Sequence, residues 1–241
     1  METIKARGLV LREYESGESD KRLILLCKEH GRMMINARGA RKPKSKFMAA
    51  AQLFTYADFV ITAGRGFKAL AQAEVIESFY GIRTDYDRLT AAHLLVEVCE
   101  KTLLENIACD DLLRLTLKAL SHLSKPHLPP LHVIGVFFMR FYAYYGIAPE
   151  VDACVTCGED VESGAFLSAE GLVCAAHRPN YAIGISRAAV YAMRHMLGSG
   201  LAEAFWFNAH EDVIHEVWNA SRMLWRLHFD WKLAAEEFIA F

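Results

Sequence analysis

Cys154-Val155-Thr156-Cys157 is followed, sixteen residues later, by Cys174-Ala175-Ala176-His177. Each ligand pair is separated by two residues, so three sulfurs and one imidazole can converge on a single tetrahedral ion, the pattern of a structural zinc site. Four protein ligands leave no open position for water, so such an ion folds the chain around it and does not catalyse. The stretch between the pairs carries Gly158, Gly164 and Gly171, and Ala165-Phe166-Leu167 can pair with Gly171-Leu172-Val173 as a short ribbon. A ribbon of this size buries no core of its own, and a metal would hold it together. The competing readings are a redox Cys154/Cys157 pair or unrelated core thiols. Redox Cys-x-x-Cys motifs open a helix after a strand, and Gly158 directly after Cys157 argues against that.

A second group of residues could hold phosphates. Arg38-Gly39-Ala40-Arg41-Lys42-Pro43-Lys44-Ser45-Lys46 has five basic residues and no acid, and its Gly and Pro punctuation lets cations and bare amides approach a phosphate chain. An ordinary solvated basic loop is the alternative. Arg7, Arg12, Lys21, Arg65 and Lys68 could extend the track, and Phe47, Phe54, Tyr56, Phe59 and Phe67 interleave with it as core residues or as stacking rings for bases.

The elements that must position these groups follow from the pattern. Residues 4–11, 23–27, 32–37, 54–61 and 68–74 are runs of strand length with turn signals at each gap, which predicts a small closed barrel or sandwich; a five-stranded OB-type barrel fits the count. From Tyr86 the period becomes 3.6. His93, Glu97, Glu100, Lys101 and Glu105 share one face and Leu94, Leu95, Val98, Leu103 and Ile107 lie elsewhere, which predicts an amphipathic helix; 112–123 predicts a second. Residues 131–145 are apolar on every side except His132 and Arg140, too short to span a bilayer and suited to the buried centre of a bundle. An arginine there needs a partner, either an internal carboxylate or an anionic or peptide ligand. Helices over 187–197 and 212–229 and a short one at 233–238 complete the chain. The predicted class is α+β: a barrel over 1–80, then an α-helical domain over 81–241 with a zinc ribbon inserted at about 151–180.

Composition sets limits. The chain has 241 residues, 53% hydrophobic and 23% charged, with a formal net charge of −2. Residues 1–80 carry 14 Lys+Arg against 9 Asp+Glu, and residues 81–241 carry 13 against 20, an asymmetry that points the basic part toward nucleic acid. No long uncharged apolar run and no signal-peptide pattern occur, so a cytoplasmic location without membrane contact is expected. Cys27, Cys99 and Cys109 sit in apolar surroundings and read as inert core thiols. No Walker loop, nucleophile elbow or paired acidic motif suggests an enzyme.

Taken in order, Gly8-Leu9-Val10-Leu11, Gly17-Glu18-Ser19-Asp20-Lys21, Gly39-Ala40-Arg41-Lys42-Pro43-Lys44-Ser45, Gly64-Arg65-Gly66, Gln72-Ala73-Glu74 with Glu77-Ser78-Phe79, Arg140, and Tyr145-Gly146-Ile147-Ala148-Pro149-Glu150 leading into Cys154 and Cys157 resemble the RecO family of recombination mediators across nearly the whole chain. The resemblance implies an N-terminal OB fold, a helical domain and a zinc ribbon. It also implies DNA repair by binding single- and double-stranded DNA, annealing complementary strands, and helping RecA load on DNA coated by single-strand binding protein, usually with RecR, in the nucleoid. On that basis Lys21, Arg38, Arg41, Lys42, Lys44 and Lys46 are the DNA-contact candidates. Arg140 matches a basic position that can dock the acidic, apolar C-terminal tail of single-strand binding protein. Cys154, Cys157, Cys174 and His177 are the zinc ligands, although many zinc-bearing members have Cys where this chain has His177. An OB-type RNA-binding module without an annealing role is the rival expectation.

Overall fold

A computed structural model of the chain describes residues 2–64, 66–161 and 165–239; Arg65 and Gly164 lie outside them. Strands β1 (Glu2–Ser16) and β2 (Asp20–Cys27) form an antiparallel hairpin, and β3 (Gly31–Ala37) continues from β2. Strands β4 (Tyr56–Gly64) and β5 (Phe67–Glu77) form a second hairpin, with β4 also paired to β1. A parallel pairing of Asn36 with Ala69 joins β3 to β5, so the order β1-β2-β3-β5-β4 closes on itself. Period-2 alternation sends Leu23, Leu25 and Cys27 of β2 and Met33, Ile35 and Ala37 of β3 into one core with Val10, Phe59, Ile61 and Leu70. Residues 38–55 add Ala40, Phe47, Ala50 and Ala51 to that core. Strand β1 runs beyond the expected 4–11 because Glu13 to Ser16, though polar, find ladder partners in Leu23 to Asp20 after a bulge at Leu11.

The other side of β1 and β2 is also buried, through Leu9, Leu11, Ile24 and Leu26, and helices α1 (Tyr86–Thr102) and α2 (Asp110–Leu123) pack against these strands. Asp85 caps α1 by accepting from the Arg88 N–H at 3.0 Å. The expected amphipathic pattern does not hold for α1. Ala91, Ala92, Leu94, Leu95, Val96, Glu97, Val98 and Cys99 are all buried, and Leu103 and Ile107 lie beyond its end. Packing explains this: the Glu97 carboxylate is covered by the C-terminal segment, accepting from the Ala235 N–H at 2.9 Å and facing Lys101 at 3.6 Å. The sequence changes period at Tyr86, and the expected boundary lies at residue 80. By compactness, however, α1 and α2 belong with the strands, in a unit of residues up to 125 plus 235–239, and residues 126–234 form the second unit.

Gly31 shows how closely the turn after β2 meets the segment after α1. Arg32 N–H donates to Leu104 O at 3.0 Å and Asn106 N–H to His30 O at 2.9 Å. Gly31 has φ +60, and a Cβ there would lie 2.4 Å from Leu104 O and 2.5 Å from Ile107 O. Gly31→Ala is therefore expected to cost about 2–4 kcal/mol, combining left-handed strain with displacement of two carbonyls. Calorimetry should read this as a melting temperature lower by several degrees; an unchanged melting temperature would mean that the 103–109 segment moves aside freely.

In the second unit, α3 (Pro130–Tyr145) starts with Pro at its first turn and ends at Gly146. It is buried from Leu131 to Met139, as its sequence predicts, and packs Phe138 against Trp218 and Trp225 of α5 (Glu211–His228). The Tyr142 hydroxyl donates to Ser221 O at 2.6 Å. Ser186 caps α4 (Arg187–Gly198), accepting from Ala189 N–H at 3.2 Å. Strands β6 (Ala165–Leu167), β7 (Leu172–Val173) and β8 (Ile183–Ile185) form a sheet in the order β7-β6-β8, one strand more than the expected ribbon. Among the described residues no helix is long and apolar enough to cross a membrane.

Candidate metal centre and nucleic-acid interface

The two ligand pairs meet. The Sγ atoms of Cys154, Cys157 and Cys174 and a ring nitrogen of His177 all lie within 4.8 Å of one another. Cys174 Sγ is 3.2 Å from His177 Nδ1, Cys154 Sγ is 3.8 Å from the same nitrogen, and Cys157 Sγ is 4.0 Å from Cys174 Sγ. A metal–sulfur bond of about 2.3 Å gives tetrahedral edges of about 3.8 Å, so these spacings bracket those around a single ion and the widest would close by up to about 1 Å to hold it. The knuckle is built locally: Gly158 N–H donates to Cys154 O at 2.8 Å and Cys154 N–H to Glu159 O at 2.9 Å. The second pair is pinned to the first by Val155 N–H donating to Leu172 O, at 2.9 Å, and by Cys174 N–H donating to Cys154 Sγ, at 3.4 Å. Backbone N–H groups of Cys157, Cys174 and Thr156 around its sulfur hold the Cys154 thiol down, at about 6, favouring the thiolate that a metal requires. Gly171 (φ +147) lets the backbone of Glu150 come close, with Leu172 N–H donating to Glu150 O at 2.8 Å, so the chain entering the ribbon is tied to β7.

The three remaining thiols behave as the sequence predicts. Burial pushes Cys27 and Cys99 up to about 12 and Cys109 up to about 11, which keeps them protonated.

The basic candidates separate into two groups. Arg38, Lys42 and Lys44 are exposed and make no ion pair among the described residues. They project from a run of turns anchored by the buried Ala40 and Phe47. Gly39 N–H donates to Asp20 Oδ1 at 2.7 Å, and this bond, with the positive charge of Arg38 and Lys42 nearby, holds the Asp20 carboxyl below its ordinary range. Arg41, by contrast, is a strut: its guanidinium meets Glu15 at 3.0 Å and donates to Gly17 O at 3.2 Å, while its N–H donates to Ser19 O. Lys21 is turned inward, 2.5 Å from Glu13 Oε2 and 3.2 Å from Ala51 O. Lys46 donates to Ala71 O at 3.0 Å with its ammonium over the Phe47 ring. Of the aromatic candidates, Phe47, Phe54 and Phe59 are core, Tyr56 is half-buried and Phe67 is exposed.

Among the described residues Arg140 meets no carboxylate. Its guanidinium donates to Leu197 O at 3.1 Å and to Ser199 O, the carbonyls that end α4. Burial lowers its pKa, Nε has no partner among the described residues, and the residue stays partly accessible. A cation at a helix C-terminus is favourable through the helix dipole, which gives the residue a structural reason to be there.

These features define a mixed α+β protein with a five-stranded N-terminal sheet and a helical part that carries a Cys3His cluster able to hold a metal ion. The chain belongs to the RecO family: the model for "Recombination protein O N terminal" matches residues 1–79 and that for "Recombination protein O C terminal" matches residues 83–237. It is similar to proteins named DNA repair protein RecO, with 34% identity over 226 residues to that of Acetivibrio thermocellus, covering 92% of this chain and 90% of the relative. The protein of that name from Exiguobacterium sibiricum is 38% identical over 175 residues (72% and 70%), and that from Alkaliphilus metalliredigens is 35% identical over 173 (71% and 70%).

Proposed function

We propose that this chain acts in DNA repair as a recombination mediator: it binds DNA through an OB-type N-terminal barrel, anneals complementary strands and helps load RecA on DNA coated by single-strand binding protein. The observation that carries this reading is the exposed trio Arg38, Lys42 and Lys44, which form no ion pair among the described residues, on a turn anchored in the strand core, in a family whose relatives are named for DNA repair. Annealing needs no bond chemistry. Cations that neutralise phosphates on two strands lower their repulsion and raise their local concentration, and salt-sensitive contacts release readily. The Cys3His cluster takes zinc as an architectural ion, since thiolate and imidazole donors suit it and no position is left open. RecR and the acidic tail of single-strand binding protein are the proposed protein partners, and the nucleoid the proposed location.

Annealing of complementary strands precoated with single-strand binding protein, with and without the chain at two salt concentrations, tests the reading. Acceleration that fades with salt is expected; no acceleration and no DNA binding would overturn it. Arg140→Ala is expected to weaken binding of the acidic tail peptide about tenfold, the scale of one charge-assisted contact, while leaving DNA affinity unchanged. Because Arg140 also holds the end of α4, the melting temperature must be read alongside. A normal peptide Kd with a lowered melting temperature would assign Arg140 to structure alone.

A further inference from the structure

The chain keeps four of its sulfurs from solvent and offers two to it. Cys27, Cys99, Cys109 and Cys154 are buried, whereas Cys157 is exposed and Cys174 half-buried. The two accessible sulfurs belong to opposite ligand pairs and lie 4.0 Å apart. Two thiol sulfurs side by side within reach of solvent are the arrangement that an oxidant bridges, because the second stands ready to resolve whatever forms on the first. This pair differs from the Cys154/Cys157 couple of the Cys-x-x-Cys motif: it joins the two knuckles across the metal cluster rather than the two ends of one knuckle.

The surroundings choose which sulfurs pair. The cluster holds three sulfurs and one imidazole, so oxidation makes a single disulfide and leaves one sulfur over. Cys154 is the one set apart. It is 2% exposed, and its sulfur accepts from the Cys174 N–H at 3.4 Å and lies 3.8 Å from His177 Nδ1. The bond from Val155 N–H to Leu172 O, at 2.9 Å, holds the two ligand-bearing segments alongside each other. Cys157 and Cys174 therefore need to close by only about 2 Å to reach bonding distance. No described atom lies within 4 Å of a Cβ placed on Gly158, so the end of the first knuckle has room for that move.

We infer that Cys157 and Cys174 are a reversible modification site for peroxides, whose disulfide expels the zinc ion. One sulfur attacks the O–O bond of the peroxide; an S–O bond forms, giving a sulfenic acid, and hydroxide leaves. The second sulfur then attacks the first; the S–S bond forms, the S–O bond breaks and a second hydroxide leaves. The two sulfurs give up two electrons, and the peroxide takes them and ends as two waters once both hydroxides are protonated. Two of the four donors are thereby lost to the ion, and Cys154 with His177 is too small a set to keep it. A thiol reductant reverses the bridge by exchange. The inference rests on the zinc reading above and adds that the architectural ion is removable by oxidation.

The test treats the full chain, reduced and loaded with zinc, with hydrogen peroxide while a chromophoric chelator reads zinc release and peptide mass spectrometry maps the cysteines. One Cys157–Cys174 disulfide is expected per zinc ion released, with Cys27, Cys99 and Cys109 still thiols, and dithiothreitol with added zinc should restore the starting chain. Cys174→His keeps four donors but removes the bridge, and is expected to slow release by peroxide at least about tenfold. If that variant fails to hold zinc, the disulfide map of the wild-type chain decides alone. Zinc retained under peroxide, a Cys154–Cys157 bridge, release with only sulfinic or sulfonic products, or unslowed release from zinc-loaded Cys174→His would overturn the modification site and leave the metal site standing. A reduced wild-type chain that held no zinc would overturn the metal reading, and the modification site with it.

Discussion

Cys154→Ser is expected to unfold the ribbon and to lower the stability of the second unit by at least about 4–5 kcal/mol, the range in which metal loss stands out from ordinary substitutions. The sheet that carries the cluster has strands of three, two and three residues, too few to persist on backbone pairing alone. Cys154 is the buried member of the four and the one on which the Cys174 N–H and the knuckle converge. Its loss therefore removes a ligand and a junction together. A chelator should reproduce the effect in the wild-type chain, and hydrogen exchange should show protection lost over 165–167 and 172–173 but kept in β1 to β5. Identical melting curves with and without chelator would mean that no ion contributes to the fold.

The second large effect concerns charge. Arg38→Glu, Lys42→Glu and Lys44→Glu together are expected to weaken DNA binding at least about a hundredfold at low salt and to flatten the slope of log K against log salt by about 2–3, since each phosphate contact contributes about 0.7–0.9. The three side chains are exposed and form no ion pair among the described residues, so the fold should survive and the melting temperature should stay near that of the wild type. Arg41→Ala should do the reverse, lowering stability through its lost struts to Glu15 and Gly17 and changing DNA affinity little. If both variants weakened DNA binding equally without unfolding, the separation of contact from strut would be wrong.

That separation marks the limit of what the sequence makes legible. The metal cluster could be read from spacing because its ligands come in local pairs and the fold only has to bring two knuckles together. The strand count, the buried α3 and the caps at Ser186 and Gly146 were legible for the same reason, since each depends on neighbours a few residues away. Lys21 and Arg41 looked like free cations because their carboxylate partners, Glu13 and Glu15, lie 8 and 26 positions away and come beside them only in the folded chain. The face on which a β1 residue beyond Val10 lands could not be read, because it depends on register and the bulge at Leu11 shifts that register. α1 was misread as amphipathic because part of what covers it arrives from residues 235–239.

That late arrival has a consequence for synthesis. The N-terminal unit is not complete when its strands and first two helices have left the ribosome, because the Ala235 N–H that meets Glu97 is encoded some 110 residues further on. At about 5–20 residues per second, the carboxylate waits roughly 5–20 s for that donor while the whole second unit is made. The chain thus makes this contact of its first unit last, and a nascent chain stalled anywhere before residue 235 lacks it.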